Sequence, residues 1–202
     1  MTGEILDPSL AIGDTGPRAD DGVRLWFQGD EQLASTIPGL YRKQGPSFVK
    51  DLHGRFAFAI HDTHERTWLL ARDSAGSLPL YYLNTHDGVR FSSRIGPLLK
   101  YLPRVELHPP ALIDYLAHLW ALEGKTFFSG VRLLPAGTML TSGGEQRFFR
   151  HERRPEDRSI ESWSAGIVET LSTSVSRAVA PGVAWHLSGG LDSSAVAVFA
   201  AP

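Results

Sequence analysis

The chain of 202 residues contains no cysteine. Disulfides, thiolate metal centres and a cysteine nucleophile are therefore excluded. No apolar run approaches the roughly 20 residues needed to span a bilayer, so no membrane partner is expected. An excess of one charge is missing too: 20 Lys and Arg stand against 22 Asp and Glu, a formal net charge of −2. That balance provides neither a basic field for nucleic acid nor an acidic tail. The opening "MTGEILDPSL" has neither the basic start nor the apolar middle of a secretory signal, and a cytoplasmic protein is the expectation. The glycine fingerprint of dinucleotide-binding folds and the glycine–lysine signature of the phosphotransfer P-loop are both absent. What is present is the mix of an ordinary globular protein, 42% apolar and 21% charged, at a length suited to one large domain or one domain and part of another.

Residues 1–21, rich in Gly, Asp and Pro, read as a loose lead-in. A short strand follows at 23–28. The stretch 31–45 carries Leu33, Ile37, Leu40 and Tyr41 at helical spacing, and Pro38-Gly39 predicts a kink or break. Residues 55–62, 66–73, 78–84 and 88–93 read as strands joined by polar turns, in an antiparallel meander. The run "FAFAI" is apolar on both faces, which predicts a sheet covered on both sides. Phe56, Phe58, Trp68, Tyr81 and Tyr82 are assigned to the core. Pro109-Pro110 opens a helix whose stripe is Leu112, Leu116, Leu119 and Trp120. Residues 126–149 read as extended segments and turns, and "RHERRPEDRS" as a linker. Ser159 is a plausible N-cap for a second helix, with Ile160, Trp163, Ile167, Leu171, Val175 and Val179 at helical spacing.

Few residues outside the C-terminal stretch have a pattern suited to chemistry. "HDTH", residues 61–64, has the spacing of a metal pair but spans a hairpin turn with no third ligand; a surface turn is expected and no metal site. Asp73 and Asp87 are assigned to turns, and Arg72-Asp73 to a local ion pair. The eight histidines form no nucleophile–base pattern.

The stretch "HLSGGLDSSAVAVF" is different. "VAWHL", 183–187, reads as a buried parallel strand. Ser-Gly-Gly must turn sharply, because glycine tolerates positive φ and lets a ligand approach the backbone. "LDSSAVAVFAA" then begins a helix with Asp192, Ser193 and Ser194 in or near its first turn. Exposed N–H groups, a positive helix end and two hydroxyls together suit an anion. A bare Ser-Gly-Gly would be no more than a strand-to-helix turn capped by Asp192. The full Ser-Gly-Gly-Leu-Asp-Ser-Ser resembles the pyrophosphate loop of the ATP pyrophosphatase (adenine nucleotide alpha hydrolase) group.

Further phrases extend the likeness. "YRKQGPSFVKDLHGRFAFAI", "LLARDSAGSLPLYY", "FSSRIGPLL", "TFFSGVRLLPAG" and "HLSGGLDSSAVAV" resemble, in order and spacing, the asparagine synthetase family from about Tyr41 onward. The resemblance implies an α+β sandwich of the N-terminal nucleophile hydrolase type (αββα) over 1–150, a degenerate class II glutamine amidotransferase-like domain. It implies the truncated start of an α/β doubly wound, adenine nucleotide alpha hydrolase-like domain over 159–202. In that family a carboxylate attacks the α-phosphate of Mg-ATP, and an amine then displaces AMP to leave an amide. Carried over by motif, Ser188, Gly189, Gly190, Asp192, Ser193 and Ser194 would cradle pyrophosphate, with Leu187 beside the adenine. ATP and Mg2+ are thus the implied cofactors, and aspartate or a precursor peptide the carboxylate substrate.

Two departures qualify this. The family's glutaminase uses a cysteine directly after the initiator methionine, and Thr2 stands there instead, a weak candidate nucleophile. The family's Arg-His-Arg-Gly-Pro block and Asn-Gly-Glu oxyanion segment are also missing, with "FQGDEQL" roughly where the latter belongs. The family's synthetase domain also continues well past this loop, so a fragment, a shortened gene product or one part of a split enzyme completed by a partner protein is expected. The readings are an asparagine synthetase-like ligase that has lost its glutaminase, a cyclase akin to lasso peptide macrolactam synthetases (or a β-lactam-forming relative), and an inactive or partner-binding module.

With no cysteine, the purified chain is expected to release no glutamate from glutamine above background. Release abolished by Thr2→Ala would overturn this and make Thr2 the nucleophile.

Overall fold

Alternation along residues 56–62 divides that strand between two cores. Phe56, Phe58 and Ile60 point to one side and Ala57 and Ala59 to the other, and all five are buried. The computed structural model describes residues 4–5, 18–86, 88–153, 155–180 and 182–200. The chain divides into two compact units, residues 1–151 and 152–202.

The first unit is a four-layer sandwich. Its six-stranded sheet has the order β10-β9-β5-β4-β3-β2, built from Arg18–Asp20 (β2), Val23–Gly29 (β3), Phe56–Asp62 (β4), Thr67–Arg72 (β5), Thr138–Thr141 (β9) and Gly144–Arg147 (β10). All its pairings are antiparallel. The second sheet has the order β1-β7-β6-β8, from Glu4–Ile5 (β1), Tyr81–Thr85 (β6), Gly88–Ser92 (β7) and Val131–Leu133 (β8). Here β1 runs parallel to β7, and the other pairs are antiparallel.

The large side chains of β4 meet a helical layer. The helix α1 (Glu31–Gln44) and the 3-10 turn Gly45–Asp51 bury Ala34, Ile37, Tyr41, Phe48 and Val49 against Phe56, Phe58 and Ile60. Phe48 stacks on Phe58 with ring centroids 5.9 Å apart. The small face of β4 meets the other sheet. Ala57 and Ala59 share a core with Trp26, Leu70, Tyr82 and Phe91, and Trp26 meets Phe91 edge-on at 5.2 Å. Two alanines at this level leave room for the rings of the neighbouring strands. A third cluster covers the outer face of the four-stranded sheet, where Leu98 of α2 (Gly96–Leu99) packs with Val131 and Tyr81. This is the expected helix–sheet–sheet–helix layering.

Several expectations fail in instructive ways. The four central segments form two hairpins in different sheets, not one meander. The partner of β5 across from β4 is β9, about seventy residues later, and Arg72-Asp73 is where the chain leaves one sheet for the other. The helix α1 is continuous through Pro38. A proline interior to a helix costs about 3 kcal/mol, which burial of Ile37 and Tyr41, at about 1.5–3 kcal/mol for a large apolar side chain, offsets. The lead-in is not wholly loose, since it contributes β1 and β2. Asp87 lies outside the described residues.

Arg72 and Asp73 do not pair with each other. The Arg72 guanidinium is buried and donates to three carbonyls: Nε to Leu78 at 2.6 Å, Nη1 to Leu134 at 2.8 Å and Nη2 to Gly76 at 2.6 Å. Burial lowers its pKa from the usual value, while Asp73 opposes that shift. The Asp73 carboxylate, 2% exposed, accepts from the amides of Phe56, Ala75 and Ser77 and from the Ser77 hydroxyl. "HDTH" is the β4–β5 turn, where Asp62 Oδ1 accepts from the amides of His64 and Glu65, each at 2.9 Å.

Asp73→Ala leaves those buried donors without an acceptor. Because hydrogen bonds to charged groups contribute about 1.5–3 kcal/mol each and share this one site, the expected loss of stability is about 3 kcal/mol. Urea unfolding measures it, and a midpoint indistinguishable from wild type would show that the turn rearranges freely.

Candidate functional site

The second unit carries the glycine turn. Its two helices are α4 (Ile160–Ala178) and α5 (Leu191–Ala200). Ser159 caps α4 as expected, its hydroxyl accepting from the Ser162 amide at 3.2 Å. The stripe on α4 buries only Val175, while Ile160 is 80% and Ile167 61% exposed.

Residues 183–187 are not a strand. Among the described residues nothing pairs with them, and Val183, Trp185 and Leu187 are exposed. A parallel strand depends on neighbours on both edges and cover on both faces, and these residues have neither.

The turn itself is formed. Gly189 has φ +79°, and a Cβ built there would meet nothing within 4 Å. The requirement for glycine is therefore conformational, with open space in front of the backbone. Behind it runs a chain of hydroxyls. Ser193 Oγ donates to the Gly190 carbonyl at 3.1 Å and accepts from the Ser188 amide at 3.3 Å. Ser188 Oγ lies 2.9 Å from Ser193 Oγ and accepts from the Gly190 amide at 3.3 Å. With the Ser193 proton on the Gly190 carbonyl, the Ser188 hydroxyl donates to Ser193. Both hydroxyl protons are thereby engaged inside the loop. By helix geometry the amides of Leu191, Asp192 and Ser193 have no carbonyl within the helix to bind, and they are the groups left to face an anion. Asp192 sits in the first turn of α5, where a carboxylate favours the positive helix end. The structure therefore brings Ser188, Gly189, Gly190, Asp192, Ser193 and Ser194 together in one turn, with Leu187 exposed just before it.

The residues that the resemblance would set in a glutaminase centre fall elsewhere. Thr2 lies outside the described residues. Gln28-Gly29-Asp30, standing near where the oxyanion segment belongs, is locked onto Arg55. Asp30 N donates to the Arg55 carbonyl at 3.0 Å. The Asp30 carboxylate accepts the Arg55 amide at 2.8 Å and the guanidinium at 3.1 and 3.2 Å. Gly29, φ +144°, brings its backbone so close that a Cβ would sit 2.0 Å from the Arg55 carbonyl oxygen. The sequence showed an Arg and an Asp twenty-five residues apart and no local signal that they meet. The hub at Asp73 was likewise read as a turn residue and a local ion pair with Arg72, although an Arg-Asp pair directly after an apolar strand was a signal of buried polar anchoring.

Residues 29–151 match the family model described as a glutamine amidotransferase domain, and the chain belongs to that family, in its asparagine synthetase branch. It is 29% identical to Amidase chyE of Penicillium rubens over 96% of this chain and 33% of that protein. It is 33% identical to a glutamine-hydrolysing asparagine synthetase 2 of Bacillus subtilis over 82% of this chain and 25% of that one. With asparagine synthetase B of Escherichia coli the figures are 31%, 54% and 19%. The chain thus spans a third or less of the length of these relatives. Superposition on the glutamine phosphoribosylpyrophosphate amidotransferase of B. subtilis covers 96% of this chain and 46% of that one, at 14% identity and a TM-score of 0.38. Among the described residues no helix is long and apolar enough to cross a membrane.

Ser193→Ala removes the junction of the hydroxyl chain and should loosen the loop without unfolding α5. Hydrogen exchange at the Ser188 and Gly190 amides is expected to quicken about tenfold, the loss of one ordinary hydrogen bond. Unchanged exchange would mean that the chain of hydroxyls does not order the turn.

Proposed function

We propose that this chain belongs to an ATP-dependent amide ligase that adenylates a carboxylate and lets an amine displace AMP, its glutaminase function lost. The supporting observation is the Ser188–Ser194 turn: a positive-φ glycine with open space before it, at the start of a ten-residue helix. In this reading Ser188, Gly189, Gly190, Asp192, Ser193 and Ser194 hold the pyrophosphate of ATP. Leu187 lies beside the adenine. Fixed N–H donors there stabilise charge that develops on the leaving group. ATP supplies the activating nucleotidyl group, and Mg2+ would be held largely by residues outside this set. The setting is cytoplasmic, and the rest of the ATP domain comes from further protein, in the same chain or a partner.

The source of the amine separates two substrate readings. A chain with no cysteine has no thiol to release ammonia from glutamine. An amine already on the substrate removes that need, as in closure of a macrolactam within a precursor peptide; aspartate with free ammonia is the other reading. A folded module that only binds a partner is the non-catalytic alternative.

Residues 182–190 are exposed throughout. A helix N-terminus contributes about 0.3–1 kcal/mol toward an exposed anion, whereas millimolar binding needs about 4 kcal/mol. The 202-residue chain is therefore expected to bind ATP more weakly than millimolar by calorimetry and to exchange no labelled pyrophosphate into ATP. In a protein carrying the complete domain, Asp192→Ala should lower that exchange. Exchange by the short chain alone, or an Asp192→Ala protein as active as wild type, would refute the assignment of the loop.

A further inference from the structure

The strand β2 lies at one edge of the six-stranded sheet and, among the described residues, pairs with β3 alone. It is three residues long, and all three are exposed. It therefore adds no side chain to the core. Val23 and Leu25 of β3 are buried in the cluster that contains Ala34, Ile37 and Tyr41 of α1, so their cover comes from the helix.

Charge at both ends of α1 holds β2 in place. Arg18 Nη2 donates to Glu31 Oε2, in the first turn of the helix, at 2.7 Å. Arg42, in the last turn, donates through Nη1 to Asp20 Oδ2 at 2.9 Å and through Nη2 to the Asp20 carbonyl at 2.6 Å. The four side chains are between 36% and 76% exposed, within reach of salt. The turn that joins β2 to β3 is fixed differently. Asp21 at φ +41° and Gly22 at φ +77° form a two-residue link suited to the twist of a hairpin. The Gly22 carbonyl accepts from the Thr63 amide at 2.9 Å and from the Thr63 hydroxyl at 2.8 Å. Those bonds join neutral groups and offer salt no ion pair to screen.

From this division we infer that β2 is a charge-latched strap. Screening of its two ion pairs frees it to swing from the sheet about the Asp21-Gly22 turn, which bares the backbone edge of β3. Opening breaks a three-residue ladder and uncovers no core side chain, which places it among the low-cost local openings of a fold. A bared edge is a row of N–H and C=O groups that a further strand can pair. The latch thus sets, through ionic strength, how much of that edge is on offer.

The register supplies the test. A two-residue turn makes Asp20 and Val23 a hydrogen-bonded pair, so the amides of Val23 and Leu25 face β2 while those of Arg24 and Trp26 face β4. Between about 0.01 M and about 1 M sodium chloride the Debye length falls from about 30 Å to about 3 Å. Over that range hydrogen exchange at Val23 and Leu25, taken relative to Trp26, is expected to quicken roughly fivefold, the modest effect of losing two exposed ion pairs. Met139 serves as the control at the opposite edge. Its amide faces β10, and no ion pair among the described residues includes β10, so its exchange should not respond. Arg18→Gln combined with Arg42→Gln should show at low salt the relative exchange that the wild type shows at high salt, with no further response to salt. Wild-type Val23 and Leu25 amides that ignore salt, a double variant that keeps the salt response, or equal acceleration at Trp26 would overturn the inference, the last because the whole sheet would then be opening.

Discussion

One buried cation and the carboxylate next to it hold the sandwich together at the point where the chain changes sheets. Arg72 ends β5, and its guanidinium fastens the carbonyls of Gly76, Leu78 and Leu134. Asp73 ties the start of β4 to the loop that follows β5, and its own carbonyl accepts from Gly137 at the entry to β9. A crossing between packed sheets exposes backbone groups that neither sheet can pair, and buried groups of that kind must find partners. Two adjacent charged side chains meet the demand for several segments at once. Burial of an arginine without a facing carboxylate is tolerated because carbonyl oxygens occupy three of its donor directions.

How much of this was legible follows from the range of each interaction. The hairpins β4–β5 and β6–β7, the N-cap at Ser159 and the turn at Gly189 depend on residues close in sequence, and composition and spacing revealed them. The division of the hairpins between two sheets depends on β9, whose pairing with β5 no local pattern records. Double-sided burial of "FAFAI" could be read because Phe, Ala, Phe, Ala, Ile leaves no polar face. Which neighbour each face meets could not be read, since an alanine face is compatible with a helix or a sheet. The stripes on α3 (Pro109–His118) and α4 were correctly periodic, yet most of their side chains are exposed. Periodicity reports that a face wants cover, and nothing in it says whether the cover lies within the same unit.

The same separation shows how far the fold is specified apart from any site. The cores of the first unit contain no catalytic group: Phe56, Phe58, Ile60, Trp26, Phe91 and their neighbours interlock by size. At Gln28-Gly29-Asp30 an aspartate–arginine pair closes the turn and Gly29 lies against the Arg55 carbonyl. That arrangement favours a rigid turn over an open donor. Sites are grafted onto folds and can be lost from them while the packing that specifies the fold stays intact.

The glycine turn of the second unit sits at the opposite limit. It keeps its local geometry with no strand behind it, because the hydroxyls of Ser188 and Ser193 fasten it from within. That ordering sets a condition on any anion that binds there. To use either hydroxyl, the anion must replace an internal hydrogen bond, which returns little net free energy, whereas the first amides of α5 are available without exchange. Recognition at such a loop therefore rests mainly on backbone donors, and the serines act by fixing the directions of those donors. An alanine at Ser193 and an alanine at Gly189 would then injure the site by different routes, one by loosening a correct turn and the other by straining it at positive φ.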